Sequence, residues 1–299
     1  AVIRAAITLK LSLYEDTGAI IAAMTTSIPE APGSSRNWDY RYCWLRDAFF
    51  VVRALNSLSE VATMEDYLRW MSNVVIDSQG GHIQPLFGIG LATSLPAIFV
   101  DHLPSYRGMG PVRVGNQAQE HFQHDVYGNV ILGAAQAFHD HRLLHRAGAR
   151  EFRALERVGE QAVRVFDQPD AGMWEWRTRA RIHTSSAIMS WAACDRLAKI
   201  AATLKLPDRA DYWAGHAEGM RERILKESWN EERQAFAESF GGRDMDASVL
   251  LMAEVGIVDP KDPRFISTVD ELERVLCDGP YMRRYEAPDD FGRPETAFN

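Results

Sequence analysis

Cysteine is scarce in this chain of 299 residues: Cys43, Cys194 and Cys277 are the only three, and they lie far apart. An odd, sparse set excludes a disulfide scaffold and implies reduced thiols, as in a cytoplasmic compartment. Long hydrophobic runs are missing too. No stretch of about 18 apolar residues occurs, so no membrane-spanning helix is expected. Positive charge is in deficit, with 33 Lys and Arg against 41 Asp and Glu and a formal net charge of −8. There is no basic stripe either, which argues against nucleic acid as a partner and favours a neutral or cationic ligand. The opening segment "AVIRAAITLKLSLYEDTG" lacks a small-residue cleavage site. It reads as an amphipathic helix rather than a signal peptide. It starts without methionine, and "RPETAFN" ends the chain with no winding down, so a piece of a longer protein is expected.

What is present is an ordinary globular composition, 46% hydrophobic and 25% charged. Apolar residues recur at helical spacing over roughly 1–14, 44–58, 63–76, 117–147, 151–166, 183–203, 208–228, 246–254 and 266–276. Only "GAIIAAMTT" at 18–26 alternates as a strand does. The loops "SQGGHIQPLFGIG" and "DHLPSYRGMGPVRVGN" are too long for simple connections, and such loops tend to be functional. No linker or domain boundary interrupts the pattern. The expectation is an all-α single domain over 1–299, with helical hairpins stacked around an axis as an α/α toroid. A plain bundle has little use for such long loops.

Residues 36–50, "RNWDYRYCWLRDAFF", crowd aromatic rings beside arginines and aspartates. A pyranose has an apolar C–H face that packs on an aromatic ring. Its rim of hydroxyls is held by Asp and Arg through charge-assisted hydrogen bonds. Composition leaves two readings open: a sugar cradle, or a buried aromatic cluster in which Arg46 and Asp47 form a structural ion pair.

This stretch closely resembles the signature of glycoside hydrolase family 15, which holds glucoamylases, glucodextranases and bacterial trehalases. "TGAIIAAMTTSIPEAPG", "HLPSYRGMGPVRVGNQA", "QHDVYGNVI", "DAGMWEWR" and "DDFGRPETAFN" agree with it in order and spacing, so the resemblance covers nearly the whole chain. It implies an (α/α)6 barrel, incomplete at its C-terminal end, with a β-sandwich expected before residue 1. It implies that Arg46 and Asp47 hydrogen-bond the non-reducing glucose and that Tyr40 and Trp44 wall the same subsite. Asp125 and Arg284 fall where the family has further substrate contacts. Trp174 and Trp176 flank Glu175, which the resemblance makes the general acid. Their rings are expected to keep its carboxyl out of water; the rival reading pairs Glu175 with Arg177 or Arg179 on a loop surface. Fungal members carry a second acidic residue where Trp176 stands, so the next subsite is expected to be built differently here.

Family members invert the anomeric centre, with a protonated acid and a second carboxylate about 6.5–9.5 Å away that activates water. The resemblance places that base beyond the "PETAF" segment, so none is assigned within this chain. The expected substrate is an oligo- or polysaccharide, an α-glucan or trehalose, cleaved in a glucoamylase-like reaction, with trehalase or glucodextranase as alternatives. A non-catalytic carbohydrate-binding toroid is the rival from another class.

No cofactor or metal is expected. His139, His141 and His145 in "HDHRLLH" lack the adjacent Glu of a hydrolytic zinc motif and read as a solvated helix face. Asp246 reads as a helix cap, and Trp191, Trp213 and Trp229 as packing residues. His124, beside Asp125, fits either the pocket or a polar helix start.

Overall fold

The computed structural model describes residues 1–34, 36–78 and 80–293. The last six residues of the 289–299 segment quoted above lie outside them. Among the described residues the helices are α1 (Val2–Leu11), α2 (Leu45–Ser57), α3 (Ala62–Ser78), α4 (Asp125–His139) and α5 (Ala149–Val165). They continue with α6 (Thr184–Thr203), α7 (Pro207–Glu227), α8 (Leu251–Val255) and α9 (Pro263–Leu276).

Two layers arise because the helices differ in how many faces they bury. Helices α4 and α6 bury residues on nearly every face. Helices α5 and α7 bury one stripe and keep a charged outer side. An inner row therefore runs α2, α4, α6, α8, each touching the next. Helix α3 packs on α2, α5 on α4 and α6, and α7 on α6. This is the alternation of an α/α toroid. Gly128 of α4 allows the closest inner contact: a Cβ there would lie 2.3 Å from the carbonyl oxygen of Met189. One apolar core runs through both layers and includes the buried rings of Trp70, Phe138, Phe152 and Trp213. Trp191 is buried in it, and Trp229 packs on its edge against Phe236. All three cysteines are free.

Several expectations needed correction. The helix expected over 117–147 is shorter: a 3-10 turn at Gln117–Glu120 precedes α4, which ends at His139. There Asp140 turns the chain by accepting from the backbone and side chain of Arg142. His141 and His145 consequently lie in the following turn rather than on a helix face. The strand expected over 18–26 shrinks to Ala19–Ile20, paired with Leu13–Tyr14. The segment 246–254 splits into a 3-10 turn, Ala247–Leu250, and α8. Asp246 does cap it, accepting from the Ser248 amide at 2.8 Å. No described helix is long and apolar enough to cross a membrane.

Candidate active site

The 36–47 stretch reaches its position through a short pairing: Cys43–Trp44 bonds antiparallel to Leu86–Phe87. Trp44 then ends in an extended conformation just before α2, so Arg46 and Asp47 fall in that helix's first turn. Free backbone N–H groups there favour negative charge. Tyr40, Trp44, Arg46, Asp47, Trp174, Glu175, Trp176 and Arg284, expected to share a site, all line one cavity of about 240 Å³.

Arg46 is the electrostatic hub. Its Nη1 donates to Gln123 Oε1 at 2.8 Å and to Asp125 Oδ2 at 3.2 Å. Its Nη2 lies 3.6 Å from Glu175 Oε1, and its Nε lies 3.9 Å from Asp47 Oδ2. Burial alone would lower the guanidinium pKa, but Asp125, Asp47 and Glu175 hold it above its ordinary value. Asp47 keeps 41% of its side-chain surface open, into the cavity it lines. Desolvation in that concavity, with the charge of Glu175, raises its pKa against the pull of Arg46.

Asp125 differs from the other expected contacts. It is 2% exposed, accepts from Asn129 Nδ2 at 3.0 Å, and stands behind Arg46 rather than on the cavity wall. A buried carboxylate needs a cation, and Arg46 supplies it. Asp125 therefore bears on the cavity by orienting Arg46. His124, just before it, is buried and does not line the cavity.

Glu175 sits on a tight loop with backbone N–H bonds from Glu175 to the Gly172 carbonyl and from Trp176 to the Ala171 carbonyl. Its φ of 65° is left-handed, uncommon for a residue with a side chain. Trp44 Nε1 donates to Glu175 Oε1 at 2.7 Å, beside Arg46. Trp174 turns away, donating Nε1 to both oxygens of Asp246 at 3.0 and 2.8 Å. The base of this loop is closed by Asp170, which bridges to Arg181. Asp170 Oδ2 accepts from the His124 amide, just before α4, and from Ser186 Oγ in α6, both at 2.7 Å. Burial pushes the Asp170 carboxyl up to about 7.

A third segment, 284–291, forms the remaining wall. Arg36 grips Asp289 with two bonds of 2.5 and 2.6 Å, and Tyr285 donates its hydroxyl to Asp289 at 2.8 Å. Burial would raise the Asp289 carboxyl, but these bonds bring it below its usual range. Asp290 accepts from the Arg177 amide at 2.7 Å and the Thr178 amide at 3.0 Å, locking this wall to the Glu175 loop. Arg284 lies over the Trp174 ring at 5.2 Å, and Tyr285 packs 4.9 Å from Trp176.

Sequence reasoning assigned no role to Glu30, Arg36, Tyr285, Asp289 or Asp290, all of which line the cavity. The signal lay in the acidic pair of "DDFG" and in Arg36 opening the aromatic stretch. Glu30, between Pro29 and Ala31–Pro32, reads as an ordinary turn residue.

A helical toroid with an aromatic and charged pocket built by the start of α2 and the loops at 30–44, 173–177 and 284–291 fits a carbohydrate-active catalytic domain. The sequence profile of Glycosyl hydrolases family 15 matches residues 1–294, and the chain belongs to that family. It is 34% identical over 290 residues to a trehalase of Mycobacterium tuberculosis, covering 94% of this chain and 41% of the relative. It is 30% identical over 302 residues to a trehalase of Thermoplasma volcanium, covering 99% and 47%. The chain thus spans less than half the length of these curated relatives. A bacterial glucoamylase solved with acarbose has a similar fold, with a TM-score of 0.70 at 16% identity, covering 95% of this chain and 41% of that one. The glucoamylase of Saccharomycopsis fibuligera gives 0.67 at 12% identity, covering 99% and 67%.

Proposed function

We propose that this chain carries the glucose-binding and acid half of an inverting glycoside hydrolase acting at the non-reducing end of an α-glucoside. One observation carries the reading: Trp44, Arg46, Asp47 and Glu175 converge on one cavity, with Glu175 within 3.6 Å of Arg46 and bonded to Trp44. Tyr40 and Trp44 present ring surface to the sugar's apolar face, and Arg46 and Asp47 bind its hydroxyls. Glu175 gives its proton to the glycosidic oxygen as the bond breaks. A second carboxylate activates water from the opposite face, roughly 6.5–9.5 Å away. We place that base outside residues 1–299, together with the helices that would close the toroid.

Trehalose is the substrate we favour, because relatives about one-third identical carry that name. A glucoamylase-like preference for α-1,4 glucans, expected from the sequence, uses the same glucose subsite and differs only on the leaving-group side. The test is proton NMR of trehalose, maltose and isomaltose with the intact protein. Inversion releases one β- and one α-glucose from each trehalose, the α-anomer being the leaving group, and releases the non-reducing glucose of maltose or isomaltose as the β-anomer. Trehalose cut to α-glucose alone contradicts inversion, and saturable sugar binding with no turnover on any substrate favours a non-catalytic toroid.

A further inference from the structure

The cavity is lined by two groups of carboxylates. In one, Asp47 and Glu175 lie about Arg46. In the other, Glu30 shares the lining with Arg284 and the Arg36–Asp289 pair. Tyr40 lines the same cavity and feels both: burial raises its phenol pKa first, and the charges of Glu30, Glu175 and Asp47 add to it. A sugar held against Trp44 and Asp47 with its scissile oxygen at Glu175 leaves the rest of the lining, Glu30 included, to its leaving group.

Resting on the proposed function, we propose that Glu30 is a specificity-determining residue of the leaving-group subsite, accepting hydrogen bonds from hydroxyls of the departing sugar. The backbone fixes its place, since the Glu30 amide donates to the Arg36 carbonyl at 2.9 Å and closes the 30–36 loop. Trp38 Nε1 donates to Oε1 at 3.0 Å, and no hydrogen bond among the described residues engages Oε2. Burial pushes this carboxyl up, opposed by the Trp38 bond and by Arg284 and Arg36. An anchor for Trp38 needs one acceptor atom, which a neutral Gln would provide. The second oxygen, half-desolvated on a cavity wall, is an acceptor that a hydroxyl-bearing ligand satisfies and an apolar one leaves unpaired. The 284–291 wall of the same cavity is fixed by the Arg36–Asp289 and Asp290 contacts. The subsite therefore fits a compact polyhydroxylated leaving group, and the substrate class it selects is a disaccharide of two hexoses.

The test is calorimetric binding in an E175Q background, which slows turnover by about 10²–10⁴, with methyl α-glucoside, p-nitrophenyl α-glucoside and trehalose as ligands. Adding Glu30→Gln should weaken trehalose on the order of tenfold or more relative to the two single-sugar glucosides. An equal loss for all three would assign Glu30 to the glucose subsite or to folding, and an unchanged ratio would remove it from specificity; either overturns the proposal. Should Glu30→Gln fail to fold, Glu30→Asp on the E175Q protein replaces it, and an unchanged ratio of trehalose to methyl α-glucoside affinity sinks the inference. Binding of methyl α-glucoside with no Glu30 effect leaves the proposed function standing. No binding of any glucoside removes both.

Discussion

The indole of Trp44 and the carboxylate of Glu175, 131 residues apart in the chain, are joined by a hydrogen bond of 2.7 Å. It couples the ring that would carry the sugar to the group that would protonate the leaving oxygen. Arg46, two residues on from Trp44, approaches the same oxygen at 3.6 Å. Aromatic face and cation are thereby brought to the acid by a single element, the start of α2.

Replacing Glu175 with Gln keeps the shape and an acceptor for Trp44 but removes the proton. Turnover of the intact protein should fall by about 10²–10⁴, the usual contribution of a general acid, while glucose affinity changes little. Steady-state kinetics and calorimetry check this; turnover close to that of the parent would take Glu175 out of the mechanism.

Arg46 neutralises Asp125, whose side chain is 3% exposed. Arg46→Met should strand that carboxylate and cost about 3–5 kcal/mol of stability. Adding Asp125→Asn should return part of the loss, because the stranded charge is gone. Urea unfolding of the three variants measures it, and additive losses would mean the two residues are not coupled.

Asp170 gives a pH signature. Its carboxyl titrates near 7 in the folded chain, against 3.8 for an ordinary Asp. Between those values the folded state keeps a proton that the unfolded state has released. Asp170 thus contributes stability at low pH that is lost as pH rises through about 7. His183 acts oppositely: burial, with Arg181 and Arg179, pushes it down to about 4, so its contribution is present above 6.5 and lost as pH falls. Between pH 5 and pH 8, Asp170→Asn should gain on the parent by on the order of 3 kcal/mol at most, because the loss in the parent starts near pH 3.8 and is complete above about 7. Unfolding midpoints at the two pH values decide; an identical difference at both would exclude a titrating Asp170.

Gly172 has a φ of +63°, and a Cβ there would lie 2.8 Å from the His183 ring. Gly172→Ala should therefore shift the loop that carries Glu175 and cost about 1–3 kcal/mol of stability. Activity of the intact protein should drop with glucose affinity largely kept. Unchanged melting temperature and kinetics would show that the loop tolerates the methyl group.

Much of the fold was legible because helices bury stripes. Segments such as 151–166, 183–203 and 208–228 agree with α5, α6 and α7 within a few residues. Apolar periodicity could not mark where α4 starts and stops. Those limits depend on Asp170 accepting the His124 amide and on Asp140 binding Arg142, contacts that polar side chains make only after folding. The site was legible where chemistry is concentrated in sequence, at 36–50 and at 174–176. Asp289 escaped because its partner, Arg36, lies 253 residues away, and Glu30 escaped because its bond to Trp38 looks like an ordinary turn contact until the cavity is formed. Asp125 was legible as a residue but not as a layer, since nothing local shows that Arg46 stands in front of it.

The most direct measurement follows the indole N–H of Trp44 by ¹H–¹⁵N NMR during a glucose titration. The pocket assignment predicts a saturable shift of that signal. In Asp47→Asn the midpoint should move to higher glucose, by the roughly 1.5–3 kcal/mol of a lost hydrogen bond to a charged group. A Trp44 signal that stays still at high glucose, or that saturates at the same concentration in Asp47→Asn, would contradict it.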